Sequence, residues 1–252
     1  MATRHPIPAL CAALSVALAL QAGVAIGSVT LTGTRVIYDG RSPGESLQFT
    51  NQGSSPSVMQ VWVDSGNEQS TPKTADAPFI VTPPVFRIGP NAGQTIRLLY
   101  MGKDLPKDRE SVFYLNTLEI PSLNATYANQ NQMLVMLRNR IKILYRPTDI
   151  EGSPQKAIEK LSFQIVRQGA DVSIVAKNES SYHISLVSGN LNCGGDVATF
   201  TPGMIPPYSQ LEWSVKGRCP IEKSPIRTKV QYVDDYGAVR ESEHPVTVEG
   251  VH

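Results

Sequence analysis

An all-β fold in two consecutive sandwich domains is what this chain of 252 residues predicts, and three observations carry that expectation. From Ser28 onward the sequence is a succession of short runs rich in Val, Ile, Leu, Thr and Tyr, cut by Gly, Pro, Asn and Ser. Within the run ESLQFTN (45–51), Leu47 and Phe49 alternate with Ser46, Gln48 and Thr50, the period of a strand with one buried face. The pattern stops at RPTDIEGSP (146–154) and then begins again.

Residues 1–27 read as a secretory signal peptide. Arg4 opens it, an apolar run extends from Ile7 to Leu20, and small residues follow at Ala22, Gly23, Ala25 and Gly27. The apolar run falls short of the roughly 20 residues of a membrane span, so an exported, soluble mature chain is expected, cleaved after Ala25 or Gly27.

The first domain, 28–147, is expected to hold strands in VTLTGTRVIY, ESLQFTN, VMQVWV, TIRLLYM, SVFYLNTLEI and the run QMLVMLRNRIKILYRP (132–147). Pro147, Gly152 and Pro154 make the junction a hinge or linker. The second domain, 148–252, repeats the pattern in KLSFQIV, ADVSIVAKN, YHISLVS, SQLEWSV, TKVQYVDD and HPVTVEG, and long amphipathic helices are missing. Two units of roughly 100 to 120 residues with some seven strands each have the size of immunoglobulin-like sandwiches. A single large barrel is the alternative, but it has to absorb the break.

Composition removes several functions. With 23 Lys and Arg against 22 Asp and Glu, net charge +1, there is no electrostatic case for nucleic acid as the main partner. Cys11 leaves with the signal, so Cys193 and Cys219 remain for an oxidising compartment, and one disulfide is the natural pairing. A metal site is the competing reading, but neither cysteine has a ligand at C-x-x-C spacing, and His183 and His244 stand alone. No resident metal or cofactor is expected.

Three further patterns have plainer explanations. Gly40 to Gly44 spell G-x-S-x-G, yet the alternating strand ESLQFTN follows where a nucleophile elbow needs a helix. Asn124-Ala125-Thr126 and Asn178-Glu179-Ser180 match a glycosylation pattern frequent by chance. Asp234 and Asp235 before Tyr236-Gly237 are read as an acidic turn rather than a metal pair.

The run MLVML (133–137) is apolar at every position, as in a strand covered on both faces. One face of a sandwich strand packs on the partner sheet while the other normally meets water, so something outside the domain must cover it. With period two, Leu134 and Met136 share a face with Arg138, Arg140 and Lys142, leaving Met133, Val135 and Leu137 opposite. Such a strand suits binding by strand addition, in which backbone groups zip and side chains fill pockets. On spacing alone, the basic stripe Arg138, Arg140, Lys142, Arg146 reads as a solvated strand face.

The chain resembles the periplasmic chaperones of chaperone-usher pili, the PapD-like family. The residues that carry the resemblance are TRVIYDG (34–40), FIVTPPVFRIGP (79–90), TIRLLY (95–100), LPKDRESVFYLNTLEIP (105–121) and IKILYRP (141–147), thinning in the second domain to Asp235-Tyr236-Gly237. The resemblance implies two immunoglobulin-like domains in an L-shaped, boomerang arrangement, a pilin subunit as cargo and an outer-membrane usher as receiver. It implies that Arg35 and Lys142 hold the pilin's C-terminal carboxylate, and that Met133, Val135 and Leu137 are the donor residues completing the pilin's unfinished sandwich. It also implies that Glu110, Arg146 and Asp235 form an interdomain charge network, against the plainer reading of surface ion pairs. Both remaining cysteines lie in the second domain, which points to the short-loop subclass, and the polar connection SLNATYANQNQ (122–132) is expected to be mobile until cargo binds.

Whether free copies cap each other's run in a homodimer is left open. The rival readings are an exported structural or adhesive immunoglobulin-like protein, with no use for a buried Arg35 and Lys142, and a hydrolase built on Ser42.

Overall fold

The structure, a computed structural model, describes residues 28–122, 131, 133–168, 171–220 and 225–248. The expected signal, Asn124 and most of the 122–132 connection lie outside the described residues.

The N-terminal half folds as two facing sheets. One has the order β1 (Val29–Leu31), β3 (Glu45–Asn51), β7 (Gly93–Tyr100), β5 (Phe79–Thr82). The other runs β2 (Arg35–Asp39), β9 (Leu137–Arg146), β8 (Ser111–Pro121), β4 (Ser57–Asp64), β6 (Val85–Ile88). The chain changes sheets between Leu31 and Arg35, and Gly33, at φ 92°, takes a left-handed conformation that β-branched neighbours resist. Alternate residues of both sheets meet in a core around Tyr38, Phe49, Phe79, Phe86, Phe113, Leu98 and Ile143. Tyr38 sits at its centre, edge-on to Phe79 at 5.3 Å and accepting a hydrogen bond from Tyr100 N at 3.1 Å.

The junction read as a hinge carries a short helix, α1 (Pro154–Glu159), capped by Ser153 Oγ, which accepts from Lys156 N, with Pro154 in its first turn. Ala157 and Ile158 bury it against the second domain. That domain holds β10 (Ser162–Gln168), β11 (Asp171–Asn178), β12 (Ile184–Cys193), β13 (Asp196–Phe200), β14 (Met204–Ile205), β15 (Ser209–Ser214), β16 (Ile226–Val233) and β17 (Val239–Val248). Their order is β13-β12-β16-β17-β10-β11-β15, with β14 on β12. Thr199 and Lys216 exchange both backbone hydrogen bonds, at 2.8 and 2.7 Å, so the two ends of this path meet. Cys193 and Cys219 form a disulfide there.

The strands β5, β6, β13 and β14 are absent from the sequence expectation. Each has two to five residues, too few for periodicity to register. The architecture is nearly all β, as the sequence predicts.

Candidate binding site

β9 is the strand on which the site is built, and its two edges are treated differently. Along one edge it pairs antiparallel with β8 from Leu137↔Glu119 to Tyr145↔Ser111. Along the other it pairs in parallel with β2, but only from Lys142↔Arg35 onward. Residues 137–141 therefore present an open edge. On their inner side Leu137, Asn139 and Ile141 line a groove of about 430 Å³ together with Val29, Leu31 and Phe49.

The expectation of a strand through 133–136 is corrected. Met133 to Met136 have no regular structure, and β9 starts at Leu137. Continuing the register would set Met136 opposite Ile120 and Val135 opposite Pro121, which has no N–H to give. With no strand on the other side either, nothing within the described chain covers them: Met133 is 91% exposed, Val135 70% and Leu137 41%. Five consecutive apolar residues in water form a patch that a monomer does not ordinarily keep.

Where the open edge ends, Arg35 and Lys142 stand as neighbours across the β2–β9 pair. Burial lowers the pKa of Lys142, and the Arg35 charge beside it lowers it further. Burial lowers that of Arg35 too, Arg146 adds to it, and Asp235, Asp234 and Glu110 offset only part. Arg35 donates from Nη1 to the carbonyl of Val233 at 3.0 Å, while its buried Nε has no partner among the described residues. Lys142 makes no hydrogen bond or ion pair among them. Two desolvated cations held side by side, with no carboxylate on the lysine among the described residues, have the charge and spacing to accept an anion.

Arg138 is exposed and Arg140 half-buried, on the one face their spacing predicts, but neither is free there. The guanidinium of Arg138 lies 5.0 Å from the Trp62 ring centre and that of Arg140 3.6 Å from Tyr114, and Arg140 pairs with the buried Asp64 at 2.7 Å.

Arg146 reaches the other way, into the boundary between domains. Its Nε donates to Glu110 at 2.6 Å and its two Nη atoms to Asp235 at 2.7 Å each. Burial alone would lower the Arg146 pKa, but Asp235 and Glu110 raise it above the ordinary arginine value. The Glu110 side chain is fully buried, so these are not surface ion pairs. Sequence reasoning missed a fourth member: Glu110 also accepts from the backbone N of His183 at 2.8 Å and approaches its Nδ1 at 3.2 Å. A second contact joins the domains at Tyr208, whose ring lies under Arg109 at 4.9 Å and whose hydroxyl donates to Asp108 O at 3.4 Å. Its φ of 51° is a backbone strain that no sequence pattern announces.

The remaining candidates take structural places. Ser42 sits in the turn between β2 and β3, its Oγ donating to Gly44 O at 3.1 Å. Asn178 is buried, its amide donating to Tyr182 O and Pro206 O at 2.8 Å each. Asp234 accepts from Tyr236 N at 3.0 Å and Ala238 N at 2.9 Å, closing a turn. That turn packs against the sheet-switching segment, for a Cβ on Gly237 would come within 2.4 Å of Thr34 Oγ1.

Among known proteins, the family described as pili and flagellar-assembly chaperone, PapD N-terminal domain, matches residues 28–151. The one described as pili assembly chaperone PapD, C-terminal domain, matches 156–244. The chaperone protein FimB/FhaD of Bordetella pertussis is 36% identical over 242 residues, covering 94% of this chain and 94% of its own length. The probable fimbrial chaperone YadV of Escherichia coli K12 is 36% identical over 195 residues, 76% of this chain and 79% of that one. The crystal structure of the YadV chaperone superposes with a TM-score of 0.73 at 31% identity, covering 87% of this chain and all of the other.

Proposed function

The chain belongs to the PapD-type pilus-assembly chaperones, and we propose that within that family it caps pilin subunits by lending them the segment led by Met133, Val135 and Leu137. The observation that carries this reading is the open edge of β9 ending at Arg35 and Lys142. A pilin whose sandwich lacks its last strand offers an apolar slot. The run fills that slot, and burying its three donor side chains at about 1.5 to 3 kcal/mol each contributes roughly 5 to 9 kcal/mol before association costs are subtracted.

Arg35 and Lys142 hold the subunit's C-terminal carboxylate, each charge-assisted bond contributing about 1.5 to 3 kcal/mol. Anchoring that end sets the offset of the added strand, since a slip of one residue turns the opposite face toward the pilin. The network of Arg146, Glu110 and Asp235 keeps the domain angle at which the cleft admits the subunit. Loaded chaperone then delivers its cargo to an outer-membrane usher. Residues 1–27 direct the chain to the periplasm, where the family works, and are cleaved. The chemistry is binding and folding with no bond made or broken. Before cargo arrives, two copies covering each other's run as a homodimer is the alternative state of the same edge.

The test is capture of a denatured pilin subunit during its refolding. Arg35→Ala and Lys142→Ala should leave both domains folded and cut capture by ten- to a hundredfold. Because burial and Arg35 already lower the Lys142 pKa, wild-type capture should fall at a pH below the ordinary lysine value of 10.5. Full capture by both variants, with the β9 edge still exchanging freely in the complex, would overturn the reading.

A further inference from the structure

The cations next to the apolar run answer to a single carboxylate. Asp64, at the end of β4, is fully buried. Its Oδ1 accepts from Arg140 Nη2 and from Gly66 N, both at 2.7 Å; its Oδ2 accepts from Asn116 Nδ2 at 2.6 Å and Ser70 Oγ at 2.9 Å. Asn116 turns its other end outward, where Oδ1 accepts from Arg138 Nη2 at 2.6 Å and Nε at 3.2 Å. Ser70 accepts from Trp62 Nε1 at 3.0 Å, and Trp62 lies beneath Arg138. Burial pushes the Asp64 carboxyl up, but the bonds from Arg140, Asn116, Gly66 and Ser70 outweigh it and bring it down to about 2.

This cluster sits where β9 has lost a neighbour. From residue 142 onward β9 lies between β8 and β2; from 137 to 141 only β8 holds it. A strand end paired along one edge frays at low free-energy cost. Arg138 and Arg140 are the two residues of that stretch whose side chains leave its outer face, and both are bound to Asp64, directly or through Asn116.

We propose that Asp64 is a positioning residue for the lent strand: by holding Arg140 and, through Asn116, Arg138, it fixes the open half of β9 in the extended, in-register form that a partner strand needs. This rests on the strand-lending reading above and adds a residue that touches neither cargo nor anchor. The carboxylate stands in for the missing neighbour strand. The ordering cost of the strand is therefore met before binding, which speeds capture.

Hydrogen exchange on the free mature protein tests this without any cargo. In Asp64→Asn and Arg140→Gln, the amides of 137–141 that bond β8 should exchange roughly ten- to a hundredfold faster, while those of 143–145 keep the wild-type rate. Arg140→Lys should restore part of the protection, because it keeps the charge and loses the fork. Capture of refolding pilin should slow by about tenfold in the same order of variants, with Lys142 untouched. Should Asp64→Asn fail to fold, Arg140→Gln paired with Arg138→Gln decides, since both side chains lie at the surface end of the cluster. Unchanged exchange at 137–141, or a uniform rise across the whole first domain, would overturn the inference. Failure of the wild-type protein to capture pilin would instead count against the strand-lending reading and leave the exchange result standing.

Discussion

In the second domain the strand path from β13 to β15 returns on itself at Thr199 and Lys216, and Cys193–Cys219 staples the same corner. In the first, β9 runs past the start of β2, and its edge and an apolar run are left in water. Both domains have a full aromatic and aliphatic core, so the difference does not come from a shortage of apolar residues. Open edges invite aggregation, and proteins ordinarily blunt them. The open edge of the first domain is the one proposed above to receive the pilin.

The two tryptophans make the comparison measurable, because Trp62 reports on the first domain and Trp213 on the second. The largest effect is expected where the domains meet. Arg146→Ala removes the guanidinium that pairs the buried Glu110 carboxylate and should cost about 3 to 5 kcal/mol; in urea the Trp62 and Trp213 transitions should separate. Coincident transitions in that variant would mean the domains are coupled by other contacts.

Next comes the staple. Replacing Cys193 and Cys219 by serine opens a loop of 26 residues in sequence separation. It should cost about 3 kcal/mol, read as a lower Trp213 midpoint with Trp62 unmoved. An equal fall in both would show that the closed domain also supports the open one.

Acid should separate the domains by a different route. His244 is buried, which with the Arg227 charge lowers its pKa below the ordinary 6.5. The unfolded chain then binds the extra proton first, so second-domain stability is complete above pH 6.5 and declines as pH falls below it. Asp64, at about 2 against an ordinary 3.8, keeps its grip on Arg140 and the open half of β9 down to roughly pH 4 and loses it toward pH 2. Trp213 should therefore respond to acid before Trp62, and the reverse order would contradict the assignment of His244 as a neutral buried group.

The smallest effect on stability should come from the residues that matter most to the open edge. Val135→Ser with Leu137→Ser should move either midpoint by no more than about 0.5 kcal/mol, since both side chains are already exposed, while pilin capture drops steeply. Loss of folding would place those side chains in the protein's own core.

The local patterns were legible in the sequence for a physical reason. Alternation along ESLQFTN depends only on which side of a strand each residue takes, and the break at 146–154 depends on the backbone limits of Pro and Gly. The cysteine pair followed from composition, and family motifs pointed to Arg35, Lys142 and the charge network. Short strands such as β5 and β6 escaped because four residues hold too little of a period. His183 and Asp64 escaped because their partners lie 73 and 76 residues away. The partners of the basic stripe escaped for the same cause: spacing places Arg138 and Arg140 on one face but not what lies opposite.

By itself the sequence determined the class of fold, the two-part organisation and the faces of β9, since each is a property of neighbouring residues and elementary sterics. Only the tertiary structure decided that β9 begins at Leu137, that β2 stops short of its open half, and that a buried carboxylate from β4 holds the exposed cations. Edges and charge pairs belong to the way distant segments meet, and Coulomb and hydrogen-bond energies act across space with no regard to chain order.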